Sequence, residues 1–269
     1  MTPELTERIA ERIVRAHRAG EMLVVGLTGP QGAGKSTLAR AAPEALARRG
    51  LKTAVLALDD LYLTKAERQA LAGAVHPLLA TRGPPGTHDV GLGLAVLDSL
   101  ARPGETRLPR FDKAADDRLG PAAWATVTGP VDVILFEGWC VGARPQSSKA
   151  LGDPVNRLER DEDPHGVWRR HVNDALAGPY QALFARIGLQ ILLRPPAFEA
   201  VLAWRLQQEH ELRANRGAGQ TDAEIARFIQ HYERLTRHID AEMPARADVV
   251  ARLDEDRRVV ELTPRSTNR

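Results

Sequence analysis

The sequence predicts an α/β fold, doubly wound around a mostly parallel sheet. Three observations point there: buried-type apolar runs alternate with Ala- and Leu-rich helical stretches, the first run passes through glycines directly into a helix, and 269 residues suffice for one large domain. Alternation of this kind calls for parallel pairing through right-handed crossovers.

Taken in order, residues 4–18 set Leu5, Ile9, Ile13 and Val14 at helical spacing among charges, so an amphipathic helix is expected within 1–20. MLVVGLTG (22–29) reads as a strand, and Lys35 to Arg49 as a helix that stops at Gly50. TAVLALDD (53–60) reads as a second strand ending in two carboxylates, with a helix following to about Ala72. VDVILFEGW (131–139) and IGLQILLRP (187–195) supply two more strands. Between them, the Pro- and Gly-rich connections 82–93, 103–112 and 142–166 are long enough to be functional loops. A helix from Ala197 to Asn215, the glycine-containing break NRGAGQTD and a helix from Asp222 to Ala241 make up a helical lid region over 197–222. The tail 247–262 reads as an edge β-hairpin. The whole of 1–269 is expected to form one domain.

Composition excludes several function classes. Lysine plus arginine number 37 against 35 acids, a formal charge of +2, so no polybasic surface for nucleic acid and no acidic tail stands out. The single cysteine, Cys140, excludes an internal disulfide and reads as packing. No apolar run is long enough to span a bilayer, and the charged N-terminus does not resemble a secretory signal; a soluble, cytoplasmic protein, monomer or homodimer, is the expectation.

The strongest signal lies between the first strand and the first interior helix. Gly29, Pro30, Gln31, Gly32, Ala33, Gly34, Lys35 and Ser36 match the Walker A pattern G-x-x-x-x-G-K-[ST] at every required position, with Thr37 behind them. Glycines let the backbone wrap a phosphate and turn N–H groups inward, and the helix presents its positive end to the same anion. Lys35 then reaches the β- and γ-phosphates while the Ser36 hydroxyl ligates Mg2+. The motif, strand before and helix after, marks a P-loop nucleotide-binding fold and does not by itself choose among kinase, GTPase and ATPase.

Ligands in open α/β sheets sit beyond the carboxyl ends of the strands, which puts Asp59, Asp60 and Glu137 near that loop. Phosphoryl transfer needs one carboxylate to take or orient the acceptor proton and another beside the metal. Asp59 is assigned as base, Asp60 as its support or as a helix cap facing the substrate, and Glu137 as the metal-side acid.

GLTGPQGAGKST, ALDDLYLT, RGPPGTHD, LPRFDKAADDR, ILFEGWCVG and WRLQQE, in this order across 22–245, resemble the D-glycerate 3-kinases of plant and fungal type, within the group of phosphoribulokinase, uridine kinase and pantothenate kinase. The resemblance implies transfer from ATP, with Mg2+, to D-glycerate. It also implies that Asp59 is the general base, Glu137 the magnesium-associated acid and Arg205 the lid arginine at the ATP phosphates. A small hydroxy-acid needs a cation suited to its carboxylate; Arg82, Arg110 and Lys113 lie in the long loops, with His88, Asp89 and Asp112 as hydrogen-bonding partners and Tyr62 as a wall. The plain alternatives are an Arg82–Asp89 pair, a satisfied loop histidine and an Asp112–Lys113 surface pair. Leu61 stands where the family has an aromatic residue, and 147–176 matches weakly, with Trp168 and Tyr180 reading as core. Arg213 and Arg216 share the lid with Arg205, as catalytic arginines or as an ordinary helix end. Two other functions remain open: a kinase for a nucleoside or pantothenate-like acceptor, disfavoured by the missing aromatic cluster, and a regulatory ATPase, disfavoured by the absence of guanine-selecting N-K-x-D segments.

Overall fold

The computed structural model describes residues 2–216 and 219–265. Helix α1 (Pro3–Ala16) begins where its residues dictate: the Thr2 hydroxyl accepts the Leu5 N–H at 3.3 Å, and Pro3 fills a position that needs no donor. Leu5, Ile9 and Ile13 are buried, each contributing about 1.5–3 kcal/mol, whereas Val14, one residue round the helix, turns to solvent. The apolar stripe is thus narrower than expected.

Strand β1 (Leu23–Thr28) feeds the phosphate loop and α2 (Lys35–Ala47), and the chain returns through β2 (Thr53–Ala57). The second strand is shorter than the predicted 53–60. Leu58–Leu61 form a 3-10 turn instead, so Asp59 and Asp60 sit on a tight turn above the sheet edge. After α3 (Lys65–Ala74) comes α4 (Val90–Leu100), capped by the Asp89 carboxylate. The region expected as loop at 103–112 is largely paired: β3 (Gly104–Leu108) and, further on, β6 (Ala125–Gly129) form one antiparallel ribbon, β4 (Phe111–Asp112) and β5 (Asp117–Arg118) another. β7 (Val133–Gly138) precedes the short helices α5 (Arg157–Glu162), α6 (Val167–Ala177) and α7 (Pro179–Phe184), of which α5 interrupts the expected loop 142–166. β8 (Ile187–Arg194), α8 (Phe198–Arg216), α9 (Asp222–Glu242), β9 (Val249–Leu253) and β10 (Val259–Pro264) complete the order. Gly217 and Ala218, in the glycine-containing break, lie outside the described residues, as does the side chain of Arg216.

The main sheet runs β10-β9-β8-β1-β7-β2, parallel except for the edge strand β10. Alternation along its strands divides the core. Val25, Leu27, Val133, Leu135 and Ile191 pack under α1 and α2; Val24, Ile134, Phe136 and Leu192 face α4, α7 and α9. Both faces of β1 and β7 are covered, which is why these strands read as unbroken apolar runs. The carboxyl ends of β1 and β7 lie side by side, Leu27 paired with Glu137, at the switch point of the sheet.

The charged stretch 147–176 is an anchoring layer. Glu159, fully buried, grips Arg234 of α9 at 2.6 and 2.7 Å, and Asp163 takes the N–H groups of Trp168 and Arg169 as well as the Arg169 guanidinium at 3.1 Å. Trp168 and Tyr180 are core residues, as their sequence setting suggests.

Candidate active site

Gly34 closes the phosphate loop in a left-handed conformation and offers no side chain to cap α2, leaving the helix's positive end available to an anion. Lys35 Nζ donates to the Pro30 carbonyl at 2.9 Å. Its burial lowers the ammonium pKa, opposed by the nearby charges of Glu137 and Asp59. Ser36 Oγ donates to Glu137 Oε1 at 2.7 Å, which joins the two expected metal-side groups across two elements. Gly32, at φ +81°, lies under α8: a Cβ there would stand 2.6 Å from Cβ of Trp204. Trp204 in turn donates through Nε1 to the Glu255 carbonyl at 2.6 Å, in the β9–β10 turn.

Asp59 is the centre of the second group. Its Oδ1 accepts the Tyr62 hydroxyl at 2.8 Å and its Oδ2 accepts Lys113 Nζ at 2.6 Å. Burial pushes the Asp59 carboxyl up, but the Lys113 charge and the two hydrogen bonds outweigh it and hold the group at about 2. The charge of Asp59 correspondingly raises Lys113. Tyr62 stacks on His88, centroids 4.5 Å apart, and His88 Nδ1 meets the Tyr180 hydroxyl at 2.6 Å. Burial lowers the imidazole to about 3, so His88 is neutral at physiological pH.

The remaining candidates divide by partner. Asp60 accepts the Phe111 N–H at 3.0 Å and faces the exposed Arg110 at 3.5 Å, while burial raises its pKa; it fastens the 110–113 loop. Asp89 caps α4 and pairs with Arg118 at 3.1 Å, and Asp112 takes the Ala114 and Ala115 N–H groups of its own turn. The two pairings suggested by sequence are therefore replaced: Arg82 pairs with Asp116, and Lys113 with Asp59. Arg82 also lies over the Phe111 ring, 5.5 Å from its centroid, and the fully buried Arg68 fixes the same Asp116 at 3.0 Å. On α8, Arg205 is held by Glu209 at 2.8 Å, and Arg213 pairs with Asp222 at the start of α9. Burial raises the Tyr232 phenol, Asp59 adds to this, and Arg82 and Arg205 oppose it, so these groups share one electrostatic neighbourhood.

A family model described as methylmalonyl Co-A mutase-associated GTPase MeaB matches residues 3–62, the stretch from α1 through the phosphate loop to Tyr62. Over far more of the chain, the Schizosaccharomyces pombe protein described as uncharacterized kinase mug58 is 36% identical across 79% of this chain and 79% of its own. The chain belongs to the same family of P-loop kinases as this protein. The chloroplastic D-glycerate 3-kinase of Arabidopsis thaliana is 33% identical over 78% of this chain, which spans about half (46%) of the plant protein. The solved D-glycerate 3-kinase of Cryptococcus neoformans superposes with a TM-score of 0.83 at 29% identity, covering 98% of this chain and 100% of that one.

As a member of this kinase family the protein uses a nucleotide, and its donor set can be tested for a metal. Among the described residues no three His, Cys, Asp or Glu side chains converge. A hydroxyl and a carboxylate, Ser36 and Glu137, stand together instead; both are hard oxygen donors, and they suit magnesium, which keeps waters and phosphate oxygens for its other positions. No helix among the described residues is long and apolar enough to cross a membrane. Sequence reasoning missed Asp116 as the partner of Arg82, Tyr180 as the partner of His88, and Trp204 as the cover of the loop. Only the last carries a signal in sequence, an indole set beside Arg205 in WRLQQE.

Proposed function

We propose that the protein transfers the γ-phosphoryl group of ATP, with Mg2+, to the 3-hydroxyl of D-glycerate. One observation carries the reading: the paired Asp59–Lys113 site stands within charge reach of the phosphate-loop lysine, an acid for the acceptor's proton and a cation for its carboxylate. Likeness to D-glycerate 3-kinases supports the choice of acceptor.

While Lys113 holds Asp59 near 2, the carboxylate is a weak base. A bound glycerate carboxylate competes for the Lys113 ammonium, whose side chain is 63% exposed. Asp59 then regains basicity and accepts the hydroxyl proton as the acceptor oxygen bonds to the γ-phosphorus and the bond to the β–γ bridging oxygen breaks, giving ADP and 3-phosphoglycerate. Lys35 and Arg205, the latter released from Glu209, stabilise charge on the transferring oxygens. Ser36 and Glu137 would hold magnesium, which would supply positive charge to offset that of the phosphates. In this reading residues 1–269 act as one kinase domain, cytoplasmic, monomer or homodimer, with 197–222 as a lid that excludes water.

The test is direct. The purified protein incubated with ATP, magnesium and D-glycerate should yield 3-phosphoglycerate by mass spectrometry and NMR, and Lys35→Ala and Asp59→Asn should each lower kcat by roughly a hundredfold or more. ATP binding with glycerate untouched across a concentration series overturns the acceptor and leaves the kinase site.

A further inference from the structure

Resting on the glycerate reading, we propose that His88 recognises the substrate as a hydrogen-bond donor, its Nε2–H donating to a glycerate oxygen, and that Tyr180 is the positioning residue that sets this tautomer. The Gly86 N–H donates to the Tyr180 hydroxyl oxygen at 3.0 Å, leaving the hydroxyl proton to be directed elsewhere. The side-chain neighbour of that hydroxyl is His88 Nδ1 at 2.6 Å; with the hydroxyl proton directed to it, Nδ1 accepts and the single proton of the neutral ring resides on Nε2.

That second nitrogen is the one left open. His88 is 5% exposed, yet its Nε2 has no hydrogen-bond partner among the described residues. Buried donors without partners are rare and costly, and a chain retains one where something else completes it. The ring lies on Tyr62, whose hydroxyl is bonded to Asp59, which sets His88 one ring away from the proposed base. Lys113 supplies charge there, and a neutral donor at a second point fixes the orientation of a small acid that one cation alone would leave free to rotate.

Three readouts test this. In the full-length protein without ligand, 15N-edited imidazole spectra should show His88 Nδ1 unprotonated and Nε2 protonated; D-glycerate added with Mg2+ and ADP should move the Nε2–H signal downfield. Tyr180→Phe should mix the tautomers and raise the KM for glycerate on the order of tenfold, the size of one lost hydrogen bond, with the KM for ATP unchanged. His88→Gln, which can set an amide N–H near the Nε2 position, should retain most activity, whereas His88→Asn, too short to reach, should not. A protonated Nδ1, an Nε2–H signal unmoved by saturating glycerate in an active wild type, or equal activity of the Gln and Asn variants overturns the role of His88. A wild type that leaves glycerate untouched overturns the acceptor reading, and with it the ligand named here, while the tautomer is still read from the free protein.

Discussion

At Asp59, burial favours the neutral acid while the Lys113 ammonium and the Tyr62 hydroxyl favour the carboxylate, and the second pair prevails. Because the folded pKa is depressed from 3.8 to about 2, the ion pair's contribution to stability is complete above the unfolded value and is lost as pH falls through the folded one. Lys113→Met removes the main opposing charge and leaves burial in command. The acid limb of kcat/KM should then move to higher pH, with KM for glycerate raised; a limb that stays in place would sink Asp59 as the base. Much of this site was legible in sequence because the phosphate loop and FEGW are local patterns whose roles depend on a few adjacent residues. Lys113 on Asp59 and Arg82 on Asp116 were not, since each joins segments more than thirty residues apart and the carboxylates of DKAADD look alike in one dimension.

Elements show the same division between local and distant causes. The strands β1, β7 and β8 and the edge hairpin were readable as apolar runs bounded by turn residues, while α4 was hidden by Gly91 and Gly93, which dilute a helical pattern. A Cβ at Gly93 would stand 2.8 Å from Leu61 Cδ1, on the turn that also carries Asp59 and Asp60. The end of β2 was misplaced for a related reason: nothing in LDDL separates an extended end from a 3-10 turn until Asp60 is seen to hold the Phe111 N–H. At the phosphate loop, Gly32→Ala sets a Cβ against Trp204 and forces a left-handed conformation worth about 1–2 kcal/mol on a residue that resists it. Thermal unfolding should shift down modestly and the KM for ATP should rise several-fold or more; unchanged nucleotide affinity would mean that α8 yields freely.

For the molecule as a whole, the stretch 147–176 is held to the kinase core through buried charge. Glu159→Gln keeps the shape of the side chain and leaves the Arg234 guanidinium, 9% exposed, without its counter-charge. A loss of about 3–5 kcal/mol is expected, measured as a lowered denaturant midpoint at constant slope; a change within experimental error would show that water reaches the pair. Trp204 reaches across the molecule in a different sense, touching the tip of the phosphate loop on one side and the Glu255 carbonyl of the edge hairpin on the other. Its indole is therefore a built-in optical probe. It packs beside Gly32 of the loop that must accommodate a triphosphate, so ATP should alter the emission of the wild-type protein, and Trp204→Phe should diminish that response, with Trp139 beside Gly29 and Pro30 reporting from the other flank.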